Sequence, residues 1–332
     1  MSPEGAQLVA ALNQFGNSHL GDQIHFGTLR IKTIPVIEYR VPVFAYGITD
    51  RWSLGLGLPI LKYKNDFSMI HEPGNLEFYR SQFSNLSPDL DRALNMNLAS
   101  EADILIQSKG YQKLESRNQT IIADIQIGSL YRFGEPGQTQ VILSQTLTLP
   151  TGPKYNPDDL MALNIFGRTS LDLGAAIQIP IKANWNLTPY TVITLPFSVT
   201  QTMRIPKNEQ DSLPDSSQKE SVSLEPGKAL LLGGESEFTL NKSWSTKFAL
   251  EFSTKDSDQI HGSTNSRYDL LENNTYQNAG RSRILIQWSS VKSFLDKEFA
   301  IPLIASLEYS DTLMGTNTER RQITELNTML FF

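Results

Sequence analysis

The sequence predicts an all-β fold, a transmembrane antiparallel up-and-down β-barrel of about 12 strands, or about 14 if part of a long loop also crosses. Three observations predict it. Apolar residues alternate with small or polar ones along successive segments, short turns alternate with long polar loops, and no apolar run approaches the roughly 18 to 20 residues of a membrane helix. Because each barrel strand needs only one apolar face, a hydrophobic content of 39% is compatible with this fold.

Composition excludes several classes of function. The formal net charge of -6 argues against a nucleic-acid partner, since such a protein needs a basic face for phosphate. The chain has no cysteine, so it has no disulfide, no thiolate metal site and no cysteine nucleophile.

The clearest strand runs from Trp52 to Ile60. Its two alternating sets are Trp52, Leu54, Leu56, Leu58 and Ile60 on one face, and Ser53, Gly55, Gly57 and Pro59 on the other. Residues 31–46 are also extended and rich in β-formers, and turn residues at 47–50 join the two segments. This arrangement predicts a β-hairpin.

The same pattern continues along the chain and yields eleven predicted strands. Further hairpins are expected at 121–149, 171–199, 230–252 and 284–309, followed by a last strand that ends at Phe332. Because single-chain barrels have even strand numbers, one more strand should precede Ile31, and residues 23–30 are the candidate. We therefore expect a single barrel over 23–332 after an N-terminal segment, 1–22, that forms a helix or plug on the short-turn side or is disordered.

Connection lengths predict two different ends of the barrel. Short turns follow Tyr46, Phe133, Ile181 and Leu240, whereas longer polar connections follow Asp66, Pro150, Ile205, Lys255 and Asp311. The segment 66–118 is the longest loop. Helix starts at Ser87-Pro88 and Ser100-Glu101, a stop at Gly110 and a shared face of Leu86, Leu90, Leu94 and Leu98 predict that it is partly helical. Such a loop could constrict or cap the barrel, bind a partner or shield the surface.

Aromatic residues are concentrated near the short turns. They are Trp52, Tyr131, Phe133, Trp185, Trp244, Trp288 and Phe299. We expect them to form an aromatic girdle at a membrane interface, where amphipathic rings are favoured. The alternative is that they are ordinary core aromatics.

Charged residues opposite the apolar faces are candidates for the lining of the lumen. They are Asp124, Arg132, Asp172, Glu235, Glu237, Lys247, Glu251, Arg281, Arg283, Glu308 and Glu325. They could set the electric field felt by a passing solute, or form a structural network of ion pairs that closes the barrel.

The histidines provide little support for catalysis. The four are His19, His25, His71 and His261, and none has the spacing of a metal-ligand or nucleophile motif. We therefore expect neither enzymatic activity, nor a metal, nor a cofactor.

The C-terminal stretch 325–332 resembles the assembly signal of bacterial outer-membrane proteins, which ends in an aromatic residue preceded by apolar residues at alternate positions. Leu326, Leu330 and Phe332 match this signal. Segments 47–59 and 149–152 also resemble parts of porin-like and fatty-acid-transporter-like barrels. The resemblance covers the strand pattern of most of the chain, and implies a location in the outer membrane of a Gram-negative cell.

The resemblance and the polar inward positions together favour a porin-like channel for passive diffusion of small hydrophilic solutes or ions. The alternatives are a fatty-acid-transporter-like barrel for hydrophobic molecules and a structural oligomeric barrel that organises the surrounding lipid. The expected partners are membrane lipid and lipopolysaccharide, the barrel-assembly machinery and a possible homo-oligomer.

Overall fold

The computed structural model describes residues 10, 13, 23–83, 94–135, 137–163, 166–264 and 266–331. Within these residues the fold is mostly β. The strands are β1 Thr28–Arg40, β2 Val43–Gly47, β3 Trp52–Gly57, β4 Ile60–Glu72, β5 Arg117–Ile122, β6 Ile125–Phe133, β7 Gln140–Leu149, β8 Ser170–Lys182, β9 Trp185–Pro196, β10 Val199–Arg204, β11 Lys219–Glu225, β12 Ala229–Thr239, β13 Trp244–Lys255, β14 Gln259–His261, β15 Gln277–Ser289, β16 Leu303–Thr316 and β17 Gln322–Leu330. The helices are α1 Leu76–Phe83, α2 Leu98–Ser108, α3 Asp269–Glu272 and α4 Val291–Leu295, with a 3₁₀ turn at Ser216–Gln218.

Every strand pair in the described chain is antiparallel. The large sheet has eleven strands in the order β17-β16-β15-β13-β12-β9-β8-β7-β6-β3-β2, and two smaller sheets have the orders β1-β4-β5 and β10-β11-β14. The sheet β1-β4-β5 continues the large sheet past a break, because the amide of Leu58 donates to the Pro42 carbonyl at 3.0 Å and that of Ala123 to the Pro59 carbonyl at 2.9 Å. The chain therefore crosses the sheet eleven times in the described residues.

The two outermost strands of the sheet continued in this way, β1 and β17, run in the same direction. Thr28 at the start of β1 is opposite Glu72, next to the longest loop, and Gly47 at the end of β2 is opposite Ser53, next to a short turn. The last strand, β17, also starts beside a loop at the same end, 317–321. We call the two ends of the sheet the long-loop end and the short-turn end.

The predicted sorting of connections holds with two exceptions. The connection 290–302, at the short-turn end, contains α4 and is longer than predicted, while the loop 317–321, at the long-loop end, is short. The loop predicted at 66–118 occupies 73–116, because β4 extends to Glu72.

The predicted strand at 23–30 is not present. Thr28–Arg30 begin β1, which runs away from the long-loop end, and the Asn75 side-chain amide donates to the Gln23 carbonyl at that end at 2.8 Å. The chain therefore enters the sheet from the long-loop end, not from the short-turn end as predicted for the segment 1–22. Of that segment the structure describes Ala10 and Asn13, both helical.

The helix prediction in the long loop is confirmed in part. Helix α2 begins two residues before the predicted start, since Asn97 is its N-cap and accepts from the amide of Ala99 at 2.9 Å. It ends before Gly110, which has a positive φ of 81°. The other predicted start, Ser87-Pro88, and Leu86 and Leu90 lie outside the described residues.

One face of the sheet, the apolar face, is exposed and mostly apolar. On β3 it begins with Trp52, Leu54 and Leu56, and directly paired residues on neighbouring strands continue it. On β13, Phe248, Leu250 and Phe252 are 45%, 52% and 46% exposed. From Ile60 toward the long-loop end, the same face of β4 carries Lys62, Lys64 and Asp66. The apolar part of this face, which we call the belt, therefore ends at Ile60, and β4 extends beyond it. An exposed apolar surface of this extent is unusual for a soluble monomer.

Two small apolar cores lie at the long-loop end. Leu76, Tyr79 and Leu94 pack with Ile24 and Phe26. The second core is formed by Ile205, Val222, Leu224 and Ile260, around the sheet β10-β11-β14. No described helix is long and apolar enough to cross a membrane.

Candidate functional site on the polar face of the sheet

The face opposite the apolar one, the polar face, carries a cluster of charged residues on neighbouring strands. We call Tyr190, Glu235, Glu237, Lys247, Glu251, Arg283 and Glu308 the ionic cluster. They belong to β9, β12, β13, β15 and β16, which are adjacent in the large sheet. Six of the seven were predicted as lumen-lining residues, and the structure brings those six together.

Arg283 is the centre of the ionic cluster. Its Nε lies 3.0 Å from Glu251 Oε1, and its Nη1 lies 3.4 Å from both carboxylate oxygens of Glu308. Its Nη2 donates to the Tyr190 hydroxyl at 3.0 Å and lies 3.9 Å from Glu235 Oε2. One guanidinium thus contacts groups from four other strands.

Lys247 forms the second part of the cluster. Its ammonium lies 3.0 Å from Glu235 and 3.9 Å from Glu237, which is directly opposite it on β12. Glu235 therefore lies between the two cations and joins the Lys247 and Arg283 groups into one network. Four carboxylates and two cations give the cluster a net charge of -2 when all are ionised.

Small residues allow side chains two strands apart to meet. Ala249, only 2% exposed, is opposite both Glu235 and Arg283, and its short side chain leaves room for the two to approach. Gly233 is opposite Tyr190, whose ring lies where a Cβ on Gly233 would be, 2.4 Å from that position. Tyr190 passes over Gly233, and its hydroxyl donates to Glu251 on β13 at 2.5 Å. Tyr190 was not predicted from the sequence, because no charge or motif marks it.

The polar face of β3, β6, β7 and β8 is different, because it carries mainly small side chains. Gly55 is opposite Gly128, Gly128 is opposite Thr146, and Ser144 is opposite Gly174. Arg132 on β6 lies on this face near the short-turn end. Asp172 on β8 is opposite Thr146, and its Oδ1 is buried without a hydrogen-bond partner.

The other predicted lumen residues have different positions. Asp124 lies at the strand break at 123–124, which turns its side chain toward the loop after β7. Its carboxylate accepts from the amides of Gly152 at 2.7 Å and Gly167 at 2.8 Å, and so anchors that loop. Arg132 donates to the Asp50 carbonyl at the short-turn end at 3.1 Å. Glu325 is exposed on the edge strand β17, opposite Glu308, and Arg281 on β15 is opposite Glu251.

The seven predicted girdle aromatics all lie at the short-turn end, in or next to its connections. Several contact another aromatic ring. Tyr131 and Phe133 have ring centroids 4.6 Å apart, Trp185 stacks on Phe238 at 5.5 Å, and Trp288 meets Phe299 edge-on at 5.7 Å.

Two of the three residues of the predicted assembly signal can be placed. Leu326 and Leu330 on β17 are opposite Leu307 and Leu303, with Leu326 and Leu330 exposed. Phe332 lies outside the described residues.

A second polar centre, Arg204, lies at the long-loop end and was missed from the sequence. Its guanidinium donates to Asp158 Oδ1 at 2.6 Å and to the carbonyls of Lys109, Gly110 and Pro214 at 2.8, 2.8 and 2.9 Å. It also lies over the Tyr111 ring at 3.8 Å from the centroid. Burial raises the pKa of Asp158, but hydrogen bonds and charges from Lys219 and Arg204 outweigh burial, and the net pKa is lowered. Nothing in the local sequence marks this arginine, because its partners come from three loops, two of which are distant in the sequence.

Glu220 at the start of β11 orders the loop that follows β14. It accepts from the amides of Ser263 and Thr264 at 2.5 and 3.0 Å and from the Tyr268 hydroxyl at 2.8 Å. Burial raises the pKa of Glu220, but hydrogen bonds from Thr264, Ser263 and Tyr268 outweigh it and lower this pKa to about 2. In the described part of the chain, no group of three or more His, Asp or Glu side chains could hold a metal ion.

No protein-family model matches this chain, and no curated protein is significantly similar to it. A solved structure with a similar fold is an outer membrane channel from Pseudomonas putida F1. The two share 15% sequence identity with a TM-score of 0.52, over 91% of this chain and 85% of that channel. The chain therefore has the antiparallel β fold of an outer-membrane channel protein.

Proposed function

We propose that this protein is a porin-like channel of the bacterial outer membrane, through which small hydrophilic solutes or ions diffuse passively. The observation that carries the proposal is the contrast between the two faces of one sheet. The apolar face suits lipid, whereas the ionic cluster on the polar face would be costly in lipid and suits a hydrated lumen. The fold of the similar channel supports this proposal.

The proposal requires the sheet to close into a barrel, and the directions of the strands specify how. Since β1 and β17 run in the same direction, an antiparallel closure needs one more strand between them that runs toward the long-loop end. Tyr39 on β1 and Glu325 on β17 both lie on the polar face, and in the described residues β1 and β17 are outermost strands that do not pair with each other. Such a strand would bring the count to the twelve expected from the sequence, but not at the predicted position 23–30, whose last three residues belong to β1.

Paired cysteines test this closure in a protein without native cysteine. Across one intervening strand, Tyr39→Cys and Glu325→Cys would be about 10 Å apart, twice the inter-strand spacing. We expect a bismaleimide of that length to link them, and oxidation to a disulfide to fail. Efficient disulfide formation would show that β1 and β17 meet directly, and would overturn a twelfth strand.

Planar-bilayer conductance tests the channel itself. Purified, folded protein should give stable, ohmic single-channel steps in KCl. A folded protein that gives no conductance at any voltage would remove the open channel and leave a plugged or structural barrel.

Strand breaks favour a second candidate, a barrel that transports hydrophobic molecules. Breaks at 41–42, 58–59 and 123–124 lie side by side on three adjacent strands, and Pro59, which cannot donate to the ladder, is fully buried at the middle one. Such a gap in the wall could let an apolar molecule leave sideways. Saturable binding of a fluorescent fatty acid that Pro59→Ala weakens, without any KCl conductance, would favour this candidate over the porin-like one.

A further inference from the structure

We infer that the channel prefers cations over anions, and that Glu237 is the residue that contributes most to this preference. The inference rests on the proposed channel. Its starting point is the unequal distribution of charge around the polar face. We call the polar face of β9, β12, β13, β15 and β16 the charged wall, and that of β3, β6, β7 and β8 the small wall.

The open path for a solute lies along the small wall. Gly55, Gly128 and Gly174 have no side chain to fill the lumen, and Ser144 and Thr146 fill little of it. In a closed barrel these four strands and the five strands of the charged wall occupy different parts of the circumference. A passing ion therefore moves beside small groups while it faces the ionic cluster.

Carboxylates exceed cations on this path. Four carboxylates face two cations in the ionic cluster, and the other polar-face charges, Asp172 and Glu325 against Arg132 and Arg281, leave the excess unchanged. Arg117 and Lys255, on the same face at the long-loop end, are each paired with a loop carboxylate, Asp159 and Asp258. The net charge of -2 lies where low-dielectric walls strengthen its field. Rings of carboxylates are a common basis of cation selectivity in channels.

Glu237 is the carboxylate of the cluster whose negative charge is least neutralised by a neighbouring cation. Glu251 and Glu308 lie within 3.4 Å of Arg283, and Glu235 lies 3.0 Å from Lys247. Glu237 has one cation contact, to Lys247 at 3.9 Å, and its side chain is 20% exposed. On the small wall, the unpartnered Oδ1 of Asp172 adds a second acceptor for a cation.

Reversal potentials in a KCl gradient test the inference with the full protein. We expect a K⁺/Cl⁻ permeability ratio above one, and a ratio lowered about twofold in Glu237→Gln, as Coulomb's law with salt screening gives for a unit charge about 8 Å from a cation or an anion in water. Lys247→Gln should raise the ratio, which provides a variant of opposite sign. Glu38→Gln is the control, since Glu38 is a strand residue of equal charge paired with Lys62 on the opposite face of the sheet.

The outcomes separate the two proposals. Conductance that is anion-selective or unselective, or a Glu237→Gln ratio equal to that of Glu38→Gln, would overturn the cation preference and leave the channel. Absence of conductance in the folded wild type would overturn the channel, and the cation preference with it.

Discussion

Small residues determine which charged side chains meet on the polar face. Arg283 and Glu235 are two strands apart, and their 3.9 Å approach depends on the short side chain of Ala249 between them. Tyr190 reaches Glu251 only because Gly233 lies beneath its ring. A charged network on a sheet therefore requires gaps at defined positions as well as charges, since direct cross-strand neighbours alone would pair Glu237 with Lys247 and Glu251 with Arg281.

Gly233→Ala should destabilise the protein by about 1–3 kcal/mol, because the new methyl group overlaps the Tyr190 ring and displaces its hydroxyl from Glu251. The measurement is the midpoint of the heat-induced gel shift in detergent. Gly234→Ala is a matched control, since a Cβ on Gly234 meets nothing within 4 Å. Equal midpoints for the two variants would contradict this account of Gly233.

Acid should release the loop after β14 through Glu220. Its folded pKa of about 2 lies below the ordinary value of 4.5, so its contribution to stability is present above pH 4.5 and is lost as the pH falls toward 2. NMR in detergent should give a carboxyl titration midpoint near 2, with the amide resonances of Ser263 and Thr264 shifting in the same range. In Glu220→Gln these amides should show no such transition, and a midpoint near 4.5 in the wild type would contradict the hydrogen-bonded geometry.

At the scale of elements, the alternating pattern predicted strands where the apolar residues lie on the exposed apolar face, and failed on β4, where they change to the opposite face with the buried Leu61 and Tyr63. Trp52–Ile60 was predicted because the belt lies there. The extension of β4 to Glu72 was not, since Lys62, Lys64 and Asp66 occupy the positions that carry apolar residues within the belt. Helix α2 was located by Ser100-Glu101 and Gly110, but its true start depends on the capping geometry of Asn97.

Arg204→Ala should loosen the elements at the long-loop end without unfolding the large sheet. Removal of the guanidinium leaves Asp158 with Lys219 as its remaining cation and leaves three carbonyls without this charged donor, which should cost about 3–5 kcal/mol. Limited proteolysis should then cut within 109–116 and 205–218 more than about a hundredfold faster, because cleavage follows the population of the open form.

The control for Arg204 is Arg321→Ala. Arg321 pairs with Glu319 at 3.0 Å, but its side chain is 61% exposed, so its loss should cost about 0–1 kcal/mol. Proteolysis rates that are equal in the two variants would show that Arg204 does not hold these loops together.

For the whole molecule, the sequence predicted the architecture better than the function. One amphipathic pattern repeated over most of the chain predicted the antiparallel sheet and its two different ends, and the fold of the similar channel agrees. The direction of β1 could not be read from the pattern, because it depends on the pairing of β1 with β4 and not on the residues of β1 itself. The charges of the polar face were predicted as a set, but which of them meet depends on three-dimensional register and on Tyr190.

Orientation in the membrane is the property of the whole molecule that follows from the two ends of the sheet. Barrels of the outer membrane have long loops outside the cell and short turns in the periplasm. Single cysteines at the exposed Lys113 and Glu209, at the long-loop end, should therefore react with a membrane-impermeant maleimide on intact cells. A cysteine at the exposed Gln138, in a short turn, should react only after lysis, provided that the reagent is too large for the lumen. Equal labelling of all three positions on intact cells would show that the two ends of the sheet do not face opposite sides of a membrane.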